Sequence, residues 1–556
     1  MLSQWLERAR AGEPVWLPDM RAQCAQLPDP IDVTMQLTLC DGTQRDFPLP
    51  LPRWESDGQR QFVLQYVTAC VWNTLSALSG RELAFYFDPA ETETAALLGK
   101  LDTVFQVHEP TRREYGKVVS IADRLCRAFG CGPFAFALRD KRNYVPAPPF
   151  VPPQGALTQQ LRRAAQRCES GVCCGIDIGG TDIKAAVSVD GQLVCVKEYD
   201  WDPASSPTAE GITGPIVLLV RLMACCAAGL TPELRRALDK NAPDDLMARA
   251  VAASPALPLD VLGVSFPDVV IRDCIVGGES PKTRGMRQNP ALDYEAAFAR
   301  LGDLLALLRP YCRRGAAVHM TNDGHIAAFT AAAELAWQGD PDLSGGVVAH
   351  ALGTDFGMGY LYGDGSIPEM PVELYDFLLD LGSFPQRELS PDDLRSTRNE
   401  NSGLPGARRY VGQAAAFRLA YEADPSLLDG FTARQGIALT VPADKRKDCL
   451  AHLMARAADG DPAARRVFLQ VGRGVGEMSR ELALLLHPAT DTRYLFGRFV
   501  KDPACFRLLQ EGCRQVVPSL RLEAADEELS CTPLMRALSA HGVTVAQFGQ
   551  AIGAMY

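Results

Sequence analysis

One ten-residue segment, Gly175-Ile-Asp-Ile-Gly-Gly-Thr-Asp-Ile-Lys184, constrains the fold of this chain more than any other. The apolar run from Cys173 to Ile178 predicts a buried strand that ends in two glycines. Two further apolar runs, Ile183 to Val189 and Leu193 to Tyr199, flank Asp190-Gly191, which is a strong hairpin signal. The segment therefore predicts a buried strand, a glycine turn and an antiparallel hairpin in direct succession.

The chemistry of this turn suits an anion. Gly179 and Gly180 have no Cβ, so backbone N–H groups can approach a phosphate closely, and Thr181 adds a hydroxyl. The carboxylate of Asp177 can hold Mg²⁺ through water, because that ion usually keeps part of its hydration shell. The alternative is a glycine-rich turn with an incidental aspartate, and the strand–turn–hairpin context favours the phosphate site.

A second polar segment, His319-Met-Thr-Asn-Asp-Gly-His-Ile-Ala-Ala328, follows a predicted strand and leads into a small-residue helix. Asn322 and Asp323 lie at this junction, where a carboxylate can take a proton from an attacking hydroxyl group. The alternative is that either side chain simply caps the helix. We expect His325, further along the helix, to pack in the core.

A third segment, Ala351-Leu-Gly-Thr-Asp-Phe-Gly-Met-Gly-Tyr360, again ends a strand in Gly-Thr and a glycine-spaced turn. In isolation it predicts either an ordinary tight hairpin or a second phosphate site at Gly353 and Thr354. The combination decides between them, since two Gly-Thr turns lie on either side of Asn322-Asp323 in the sequence.

This order of motifs resembles the ROK family of sugar kinases and repressors, within the superfamily of sugar kinases, Hsp70 and actin. D-I-G-G-T-x-I-K, which ends at Lys184, is close to the first phosphate motif of that family. N-D-x-x-x-A-A resembles its catalytic block, and L-G-T-x-x-G-x-G resembles its second phosphate motif. The resemblance covers residues 172–556.

The resemblance implies two ribonuclease-H-like (actin-like ATPase) lobes that close over Mg-ATP and a sugar. It also implies Asp323 as the catalytic base and Asn322 as a contact to a substrate hydroxyl. Gly353 and Thr354 would hold ATP phosphates together with the first motif, in which Lys184 is the last residue.

The chain departs from the family where a G-E-x-G-H motif and a cysteine-rich zinc loop usually occur. The corresponding stretch here is Glu369-Met-Pro-Val-Glu-Leu-Tyr-Asp376, in which Glu373 is the first choice for the sugar-binding glutamate and Glu369 the second. No cysteine or histidine occurs between His350 and Cys449, so the zinc site of the family is absent from the sequence.

The adenosine motif also differs from the family pattern. The corresponding stretch, Tyr494-Leu-Phe-Gly-Arg-Phe-Val500, has one glycine, Gly497, followed by Arg498 where the family tends to have a second glycine. Gly263-Val-Ser-Phe-Pro-Asp268 resembles the G-x-x-x-P-G sugar-side loop, with aspartate in place of the last glycine. The polar stretch Gly277-Gly-Glu-Ser-Pro-Lys-Thr-Arg-Gly285 follows it, and we expect Gly278 to face the substrate.

Lys282 and Arg284, in the same stretch, can contact an acidic substrate or a phosphate. The alternative for this loop is a solvated connection without a functional role.

A proline-rich stretch, Tyr144 to Gly155, separates the chain into two regions, because five prolines in twelve residues exclude an internal helix or a central strand. The predicted fold class is α/β, with two actin-like lobes and an additional N-terminal α+β domain. The predicted segments are an N-terminal domain of unassigned role, a linker with a helix, a first lobe completed by helix 543–556, and a second lobe: 1–143, 144–171, 172–320 and 321–542.

Several further elements follow from apolar patterning. Helices are expected over 208–228, 232–253 and 543–555, and strands over 261–266, 269–276, 317–320, 346–352, 357–362 and 493–496.

Charge and composition limit the classes of binding partner that we expect for this chain. The chain has 556 residues and a net charge of −11, which argues against nucleic acid or an anionic membrane surface as the main partner. The stretch from Ile212 to Leu230 is strongly apolar, yet it contains Pro215 and Arg221 and predicts a buried helix. We expect a cytoplasmic protein with a small-molecule sugar substrate, no membrane partner, and a homodimer as a candidate assembly.

The 17 cysteines are scattered. Cys126 and Cys131 lie close in sequence, as do Cys168, Cys173 and Cys174, but no histidine stands at a zinc-ligand spacing beside them. We therefore expect reduced, mostly buried thiols rather than a structural zinc site.

The sequence thus predicts an ATP-dependent carbohydrate kinase that uses ATP and Mg²⁺. A sugar-sensing regulator is the first alternative, although ROK repressors begin with a winged helix and residues 1–143 predict mixed α and β structure. A non-catalytic nucleotide-binding scaffold is the second.

Overall fold

In the computed structural model, the Gly175–Lys184 segment joins two antiparallel strands of a five-stranded sheet. The structure describes residues 1–109, 113–278, 280–339, 341–353, 356–383, 388–399, 402–526 and 528–556. The chain is a mixed α/β protein with several sheets, and it divides into two compact units. The first unit comprises Met1–Pro152, His350–Met358 and Met370–Ala524, and the second comprises Pro153–Ala349, Gly359–Glu369 and Ala525–Tyr556.

The N-terminal part of the first unit contains a four-stranded sheet with helices. The strands are β1 (Thr34–Thr38), β2 (Gln44–Pro48), β3 (Glu82–Phe87) and β4 (Ala135–Asp140), in the order β2-β1-β3-β4. The helices are α1 (Leu2–Arg10), α2 (Leu17–Cys24), α3 (Asp57–Leu78), α4 (Thr92–Leu98), α5 (Leu101–Val104) and α6 (Gly116–Phe129). β1 pairs antiparallel with β2 and β3, whereas β3 and β4 are parallel.

The second unit is built on the five-stranded sheet. Its strands are β5 (Val172–Ile178), β6 (Asp182–Val189), β7 (Gln192–Asp200), β8 (Leu259–Phe266) and β11 (Cys312–Asn322), in the order β11-β8-β5-β6-β7. A two-residue pair, β9 (Val270–Ile271) and β10 (Cys274–Ile275), stands apart from this sheet. β5, β6 and β7 form the predicted antiparallel meander, while β8 and β11 run parallel to β5.

Helices cover both faces of this sheet. They are α7 (Leu157–Arg167), α8 (Ala209–Ala228), α9 (Pro232–Ala237), α10 (Asp244–Ala252), α11 (Arg284–Gln288), α12 (Tyr294–Gly302), α13 (Leu304–Leu308), α14 (Asp323–Gln338), and later α20 (Pro533–Ala537) and α21 (Val545–Met555). Successive side chains of a strand point to opposite faces. Accordingly, Cys174 and Ile176 of β5 pack with α8, whereas Cys173 packs with α21.

Two glycines let α21 lie directly against the sheet. Gly175 and Gly263 are paired neighbours on β5 and β8. A Cβ on Gly175 would lie 1.8 Å from the carbonyl oxygen of Ala551, and one on Gly263 would lie 1.7 Å from that of Ala554. No side chain fits at either position, so the glycine pair sets how closely α21 approaches the sheet.

α8 is long and apolar enough to cross a membrane by length and composition, with a mean hydropathy of 1.9. In the structure, Ile216 and Leu219 of this helix are fully buried in the core over the sheet. Such packing is what a core helix of this composition would show.

The remaining elements belong largely to the first unit. They are β12 (Val347–Leu352), β13 (Phe356–Leu361), α15 (Arg408–Val411), α16 (Gln413–Ala423), β14 (Ala433–Gln435), β15 (Ala438–Thr440), α17 (Arg446–Ala458), α18 (Pro462–Leu486), β16 (Thr492–Phe496), α19 (Pro503–Val516) and β17 (Arg521–Ala524). The sheet order is β13-β12-β16-β17, and the division between the two units passes through β12 and β13.

Buried polar contacts join the N-terminal segment to the rest of the first unit. The ammonium group of Lys117 lies 2.5 Å from a carboxylate oxygen of Asp376, and both side chains are almost inaccessible to solvent. The indole N–H of Trp72 donates to the carbonyl oxygen of Asp376, at 2.7 Å. α3 therefore packs directly against the segment that contains Glu373 and Asp376.

Two predicted elements differ from the structure. The helix expected over 232–253 is two helices, α9 and α10, because the sequence between them contains Pro243, which lacks an N–H donor. The strand expected over 269–276 is the short pair β9 and β10, since Arg272 and Asp273 both adopt positive φ and turn the chain back on itself.

The glycine pair yields a stability prediction. Gly263→Ala should lower the free energy of unfolding by about 3 kcal/mol, because the new methyl group forces α21 away from the sheet. Gly302→Ala, at the last residue of α12, is the matched control, since a Cβ there has no atom within 4 Å. Denaturant unfolding of both variants and the wild type measures the difference. Equal stability of Gly263→Ala and wild type would contradict the close packing of α21.

Candidate functional site

Polar side chains meet at one edge of the five-stranded sheet, where parallel strands end. Asp177 is the penultimate residue of β5, and Ser265 lies opposite it on β8. Asn322 ends β11, the next strand across. Because β5, β8 and β11 are parallel, their carboxyl ends share this edge, which is where α/β sheets commonly bind ligands.

The carboxylate of Asp177 is held in place by its neighbours. The hydroxyl of Ser265 donates a hydrogen bond of 2.7 Å to Asp177 Oδ1. The pKa of Asp177 is raised to about 6, mainly because burial desolvates the carboxylate, and the negative charge of Asp323 acts in the same direction. The Ser265 hydrogen bond and the charge of Lys184 act in the opposite direction.

Asn322 and Asp323 lie where β11 ends and α14 begins. Asn322 is the N-cap of α14, and its Oδ1 accepts the N–H of Gly324 at 2.9 Å. Asp323 is the first residue of the helix, and its Oδ1 accepts the same N–H at 2.8 Å. Desolvation raises the pKa of Asp323, while the charge of Lys282 lowers it. Asn322 and Asp323 thus both accept an N–H at the start of the helix, and Asp323 is in addition a desolvated carboxylate near Asp177.

The Gly-Gly turn lies beside a lysine. The N–H of Gly179 donates to the carbonyl oxygen of Asp182 at 2.8 Å, and its own carbonyl accepts the indole N–H of Trp201 at 3.1 Å. Gly180 and Thr181 are exposed. A Cβ placed on Gly180 would have the Cε of Lys282 as its nearest neighbour, at 3.7 Å. The turn therefore presents exposed backbone next to an ammonium-bearing side chain, which suits an anion.

Lys184 faces the same turn from β6. Its ammonium group forms an ion pair with the carboxylate of Asp182. Asp182 also accepts a long hydrogen bond of 3.3 Å from the hydroxyl of Thr181. Within the first predicted phosphate motif, Asp182 therefore contacts both Thr181 and Lys184.

Asp268 holds the loop that follows β10 through hydrogen bonds to backbone N–H groups. Asp268 accepts the N–H of Val269 at 2.8 Å and the N–H of Gly278 at 3.1 Å. The carbonyl oxygen of Gly278 accepts the hydroxyl of Thr283 and the guanidinium of Arg287, both at 2.7 Å. Both backbone groups of Gly278 thus have partners within the protein, so a substrate would contact them only by exchange of a partner or through the remaining capacity of the carbonyl oxygen.

Lys282 projects from this loop and donates to the carbonyl oxygen of Pro267 at 2.8 Å. The second-choice glutamate, Glu369, lies in the same unit and forms an ion pair of 2.9 Å with Arg272, in which both side chains are half exposed. The loop thus brings Lys282 close to the carboxylate of Asp323.

The other predicted residues lie in the first unit. Glu373 is half-buried, and its N–H donates to the carbonyl oxygen of Ser76 in α3, at 3.0 Å. Gly353 follows β12, and its carbonyl oxygen accepts the N–H of Gln413 at 3.1 Å. Thr354 lies outside the described residues.

Gly497 follows β16 and adopts a φ of +96°, a conformation that favours glycine. A Cβ at this position would lie 2.2 Å from the carbonyl oxygen of Leu352, at the end of β12. The structure therefore places Gly353 and Gly497 near each other, together with the start of α16.

Two contributors were missed by the sequence analysis. Ser265 lies within the Gly263–Asp268 segment. Because side chains alternate between the two faces of a strand, Ser265 is expected on the same face of β8 as Gly263. Gln413 is the first residue of α16, and its N–H donates to the carbonyl oxygen of Gly353. The two residues are 60 positions apart in the sequence, so only the tertiary fold brings them together.

His325 is buried as expected, accepts the N–H of Tyr360, and has its pKa lowered to about 4 by desolvation.

The donor set fits Mg²⁺. Asp177, Asp323 and Ser265 offer carboxylate and hydroxyl oxygens, the ligand types that hard cations prefer. A cation near two desolvated carboxylates also stabilises their charged forms.

No protein-family model and no curated protein matches this chain. Similar solved structures include a ROK family glucokinase from Streptomyces griseus in complex with glucose and AMPPNP, at 19% identity and a TM-score of 0.36, covering 69% of this chain and 98% of that one. A ROK hexokinase from Thermus thermophilus has 18% identity and a TM-score of 0.36, covering 66% and 98%. Leishmania braziliensis glucokinase has 12% identity and a TM-score of 0.38, covering 71% and 98%. At these values the likeness by itself assigns no activity.

The raised pKa of Asp177 yields a pH prediction. Folded Asp177 binds its proton more tightly than the unfolded chain does, so the free energy of unfolding should fall as pH rises from 3.8 to about 6. Asp177→Asn removes this contribution, so its stability relative to wild type should increase across that window. Asp245→Asn, on the surface of α10, is the control and should keep the wild-type slope. Identical slopes for all three proteins in metal-free buffer would show that Asp177 is not desolvated.

Proposed function

We propose that this chain transfers the γ-phosphoryl group of ATP to a hydroxyl group of a sugar or a related small polyol. The observation that carries the proposal is the meeting of two desolvated carboxylates, Asp177 and Asp323, with Lys282 beside the exposed Gly179–Gly180 turn. Phosphoryl transfer needs a proton acceptor, a cation-binding group and phosphate donors in one place, and these residues supply all three.

Asp323 is the proposed general base. In the reaction, the acceptor oxygen forms a bond to the γ-phosphorus, the bond from that phosphorus to the β–γ bridging oxygen breaks, and ADP leaves. The hydroxyl proton passes to the carboxylate of Asp323. Desolvation has already raised the pKa of this group, which brings its proton affinity closer to that required at neutral pH.

Asp177 is the residue proposed to hold Mg²⁺, through water or directly. When bound, that ion neutralises charge on the transferring phosphoryl group. Ser265 fixes the orientation of the Asp177 carboxylate, and Lys282 supplies a further positive charge near the turn. Gly179, Gly180, Thr181 and Lys184 are the proposed phosphate-binding residues of this unit.

The remaining assignments follow from the resemblance of the sequence motifs to the ROK family. Gly353, Thr354 and Gly497 are proposed nucleotide ligands, and Asn322, Glu373 and Gly278 are proposed substrate-side residues. The amide of Asn322 already donates to the carbonyl oxygen of Asp268 at 2.9 Å, so it acts on a substrate hydroxyl only through its remaining hydrogen-bonding capacity or by exchanging this partner.

The test of the activity is ADP release from Mg-ATP by the purified full chain with a panel of sugars, among them glucose and N-acetylglucosamine. Asp323→Asn should lower turnover by at least about 10²-fold, the usual scale of positioned proton transfer. Asparagine keeps the acceptor for the Gly324 N–H, so the helix start should be preserved.

Asp245→Asn is the matched control and should retain wild-type turnover. Undiminished turnover by Asp323→Asn would overturn the base assignment. A chain that binds Mg-ATP but phosphorylates no sugar would favour the regulator or scaffold alternatives.

Gly180→Ala tests the phosphate turn without straining it. A methyl group there meets only the flexible end of Lys282, at an ordinary contact distance, so the fold should be retained. It would nevertheless stand between the backbone and an approaching phosphate, and we expect Mg-ATP affinity to fall at least about tenfold. Calorimetric titration with Mg-ATP measures the change.

Gly302→Ala provides the control for adding a methyl group in open space. Equal affinity of Gly180→Ala, Gly302→Ala and wild type would move the phosphate site elsewhere. Absence of nucleotide binding by the wild type, with sugars present, would remove the kinase proposal altogether.

A further inference from the structure

Three cysteine thiols gather in the N-terminal part of the first unit. The Sγ atoms of Cys40, Cys126 and Cys131 all lie within 4.8 Å of one another, and those of Cys40 and Cys126 are 3.7 Å apart. Among the residues that the structure describes, this is the one group of three or more cysteine, histidine or acidic side chains with such spacing. None of the proposed phosphate or sugar ligands belongs to it.

Two of the thiols are brought together by the end of α6. The N–H of Cys131 donates to the carbonyl oxygen of Cys126 at 2.9 Å, and the N–H of Gly130 donates to that of Arg127 at 3.1 Å. Gly130 has a φ of +69°. These are the two hydrogen bonds of a Schellman motif, which places the side chains three residues before the helix end and two after it in contact. Here both of these side chains are thiols.

The third thiol comes from a turn that is distant in sequence. Cys40 follows β1 and immediately precedes Asp41-Gly42, where the chain reverses into β2. The thiol of Cys126 also lies 3.6 Å from the carbonyl oxygen of Gly80, just before β3. β1 and β3 are neighbours in the sheet, so the sheet edge and the end of α6 together bring the three sulfur atoms to one point.

The distances match those of thiolates around a metal ion. Sulfur atoms at tetrahedral corners about 2.3 Å from a zinc ion are about 3.8 Å apart. We propose that Cys40, Cys126 and Cys131 form a binding site for a thiophilic divalent cation, with Zn²⁺ as the ion. The Sγ pair at 3.7 Å already has the required separation, and no other pair is more than 4.8 Å apart.

The exposure of the site determines its coordination. Cys126 is fully buried, whereas Cys40 and Cys131 are partly exposed. Three protein thiolates therefore leave a fourth position that faces solvent and is filled by water. The carboxylate of Asp123, on α6, accepts the N–H of Phe134 at 2.9 Å and stabilises the turn after the helix. Binding displaces the thiol protons, which pass to solvent.

A disulfide between two of the three cysteines is the competing state. It would use two sulfur atoms and leave the third without a function, although all three lie within 4.8 Å of one another. A metal ion accounts for the full set, and it would also join the sheet to α6 across a long loop.

Elemental analysis of the full chain, produced with zinc in the medium and freed of excess metal, tests the site. Wild type should retain about one zinc per chain. Cys131→Ser and Cys126→Ser should each lose most of the bound ion. Cys274→Ser, another partly exposed cysteine outside the cluster, should retain it. Cobalt titration of reduced, metal-free chain should give the charge-transfer and ligand-field absorption of a tetrahedral thiolate site in the wild type and the control alone.

Cys131→Ser keeps the test decisive if Cys126→Ser fails to fold, because Cys131 lies after the helix and is partly exposed. Wild type without zinc or cobalt absorption would overturn the proposal. So would equal metal retention in Cys131→Ser and Cys274→Ser. A Cys40–Cys126 or Cys126–Cys131 disulfide found by peptide mapping of unreduced protein, in place of metal, would assign the cluster to redox chemistry instead.

Discussion

The approach of α21 to the five-stranded sheet is the constraint on which the rest of the second unit depends. Gly175 and Gly263 allow the helix backbone to touch β5 and β8, and a Cβ on Gly553 of the same helix would lie 1.8 Å from the hydroxyl of Thr330 in α14. β5 carries Asp177, β8 carries Ser265 and α14 carries Asp323. A helix packed this closely fixes the relative positions of their ends, so the separation of the two carboxylates is set by contacts on the opposite side of the sheet from α8.

The electrostatics of the candidate site follow from that rigidity. The charge of Asp323 raises the pKa of Asp177, whereas the Ser265 hydroxyl lowers the pKa of Asp177 and Lys282 lowers that of Asp323. In the first unit, the loop that carries Glu373 is held differently, by backbone and indole hydrogen bonds to α3. No cysteine or histidine occurs between His350 and Cys449, and packing on α3 supports the loop that carries Glu373.

Local patterns in the sequence predicted the elements better than the contacts between them. Asp190-Gly191 specified the hairpin, and Asn322-Asp323 marked a strand–helix junction, because both signals depend only on neighbouring residues. The partnership of Ser265 with Asp177 depends on which strands become neighbours, and no local pattern contains that information. Cys126 and Cys131 show the same limit, since their spacing was noticed but Cys40 joins them only through the sheet.

The glycine pair also dictates an order of folding. Gly175 and Ala551 stand at opposite ends of the second unit's sequence, and the whole segment Met370–Ala524 of the first unit is made between them. On the ribosome, the part of the five-stranded sheet that α21 covers therefore stays exposed until this helix emerges, and closing so long a loop is slow. During that interval Cys173 and Ala186, which α21 later buries, are open to solvent and to chaperones. Docking of α21 is thus also the step that packs the strands carrying Asp177 and Ser265 against a helix.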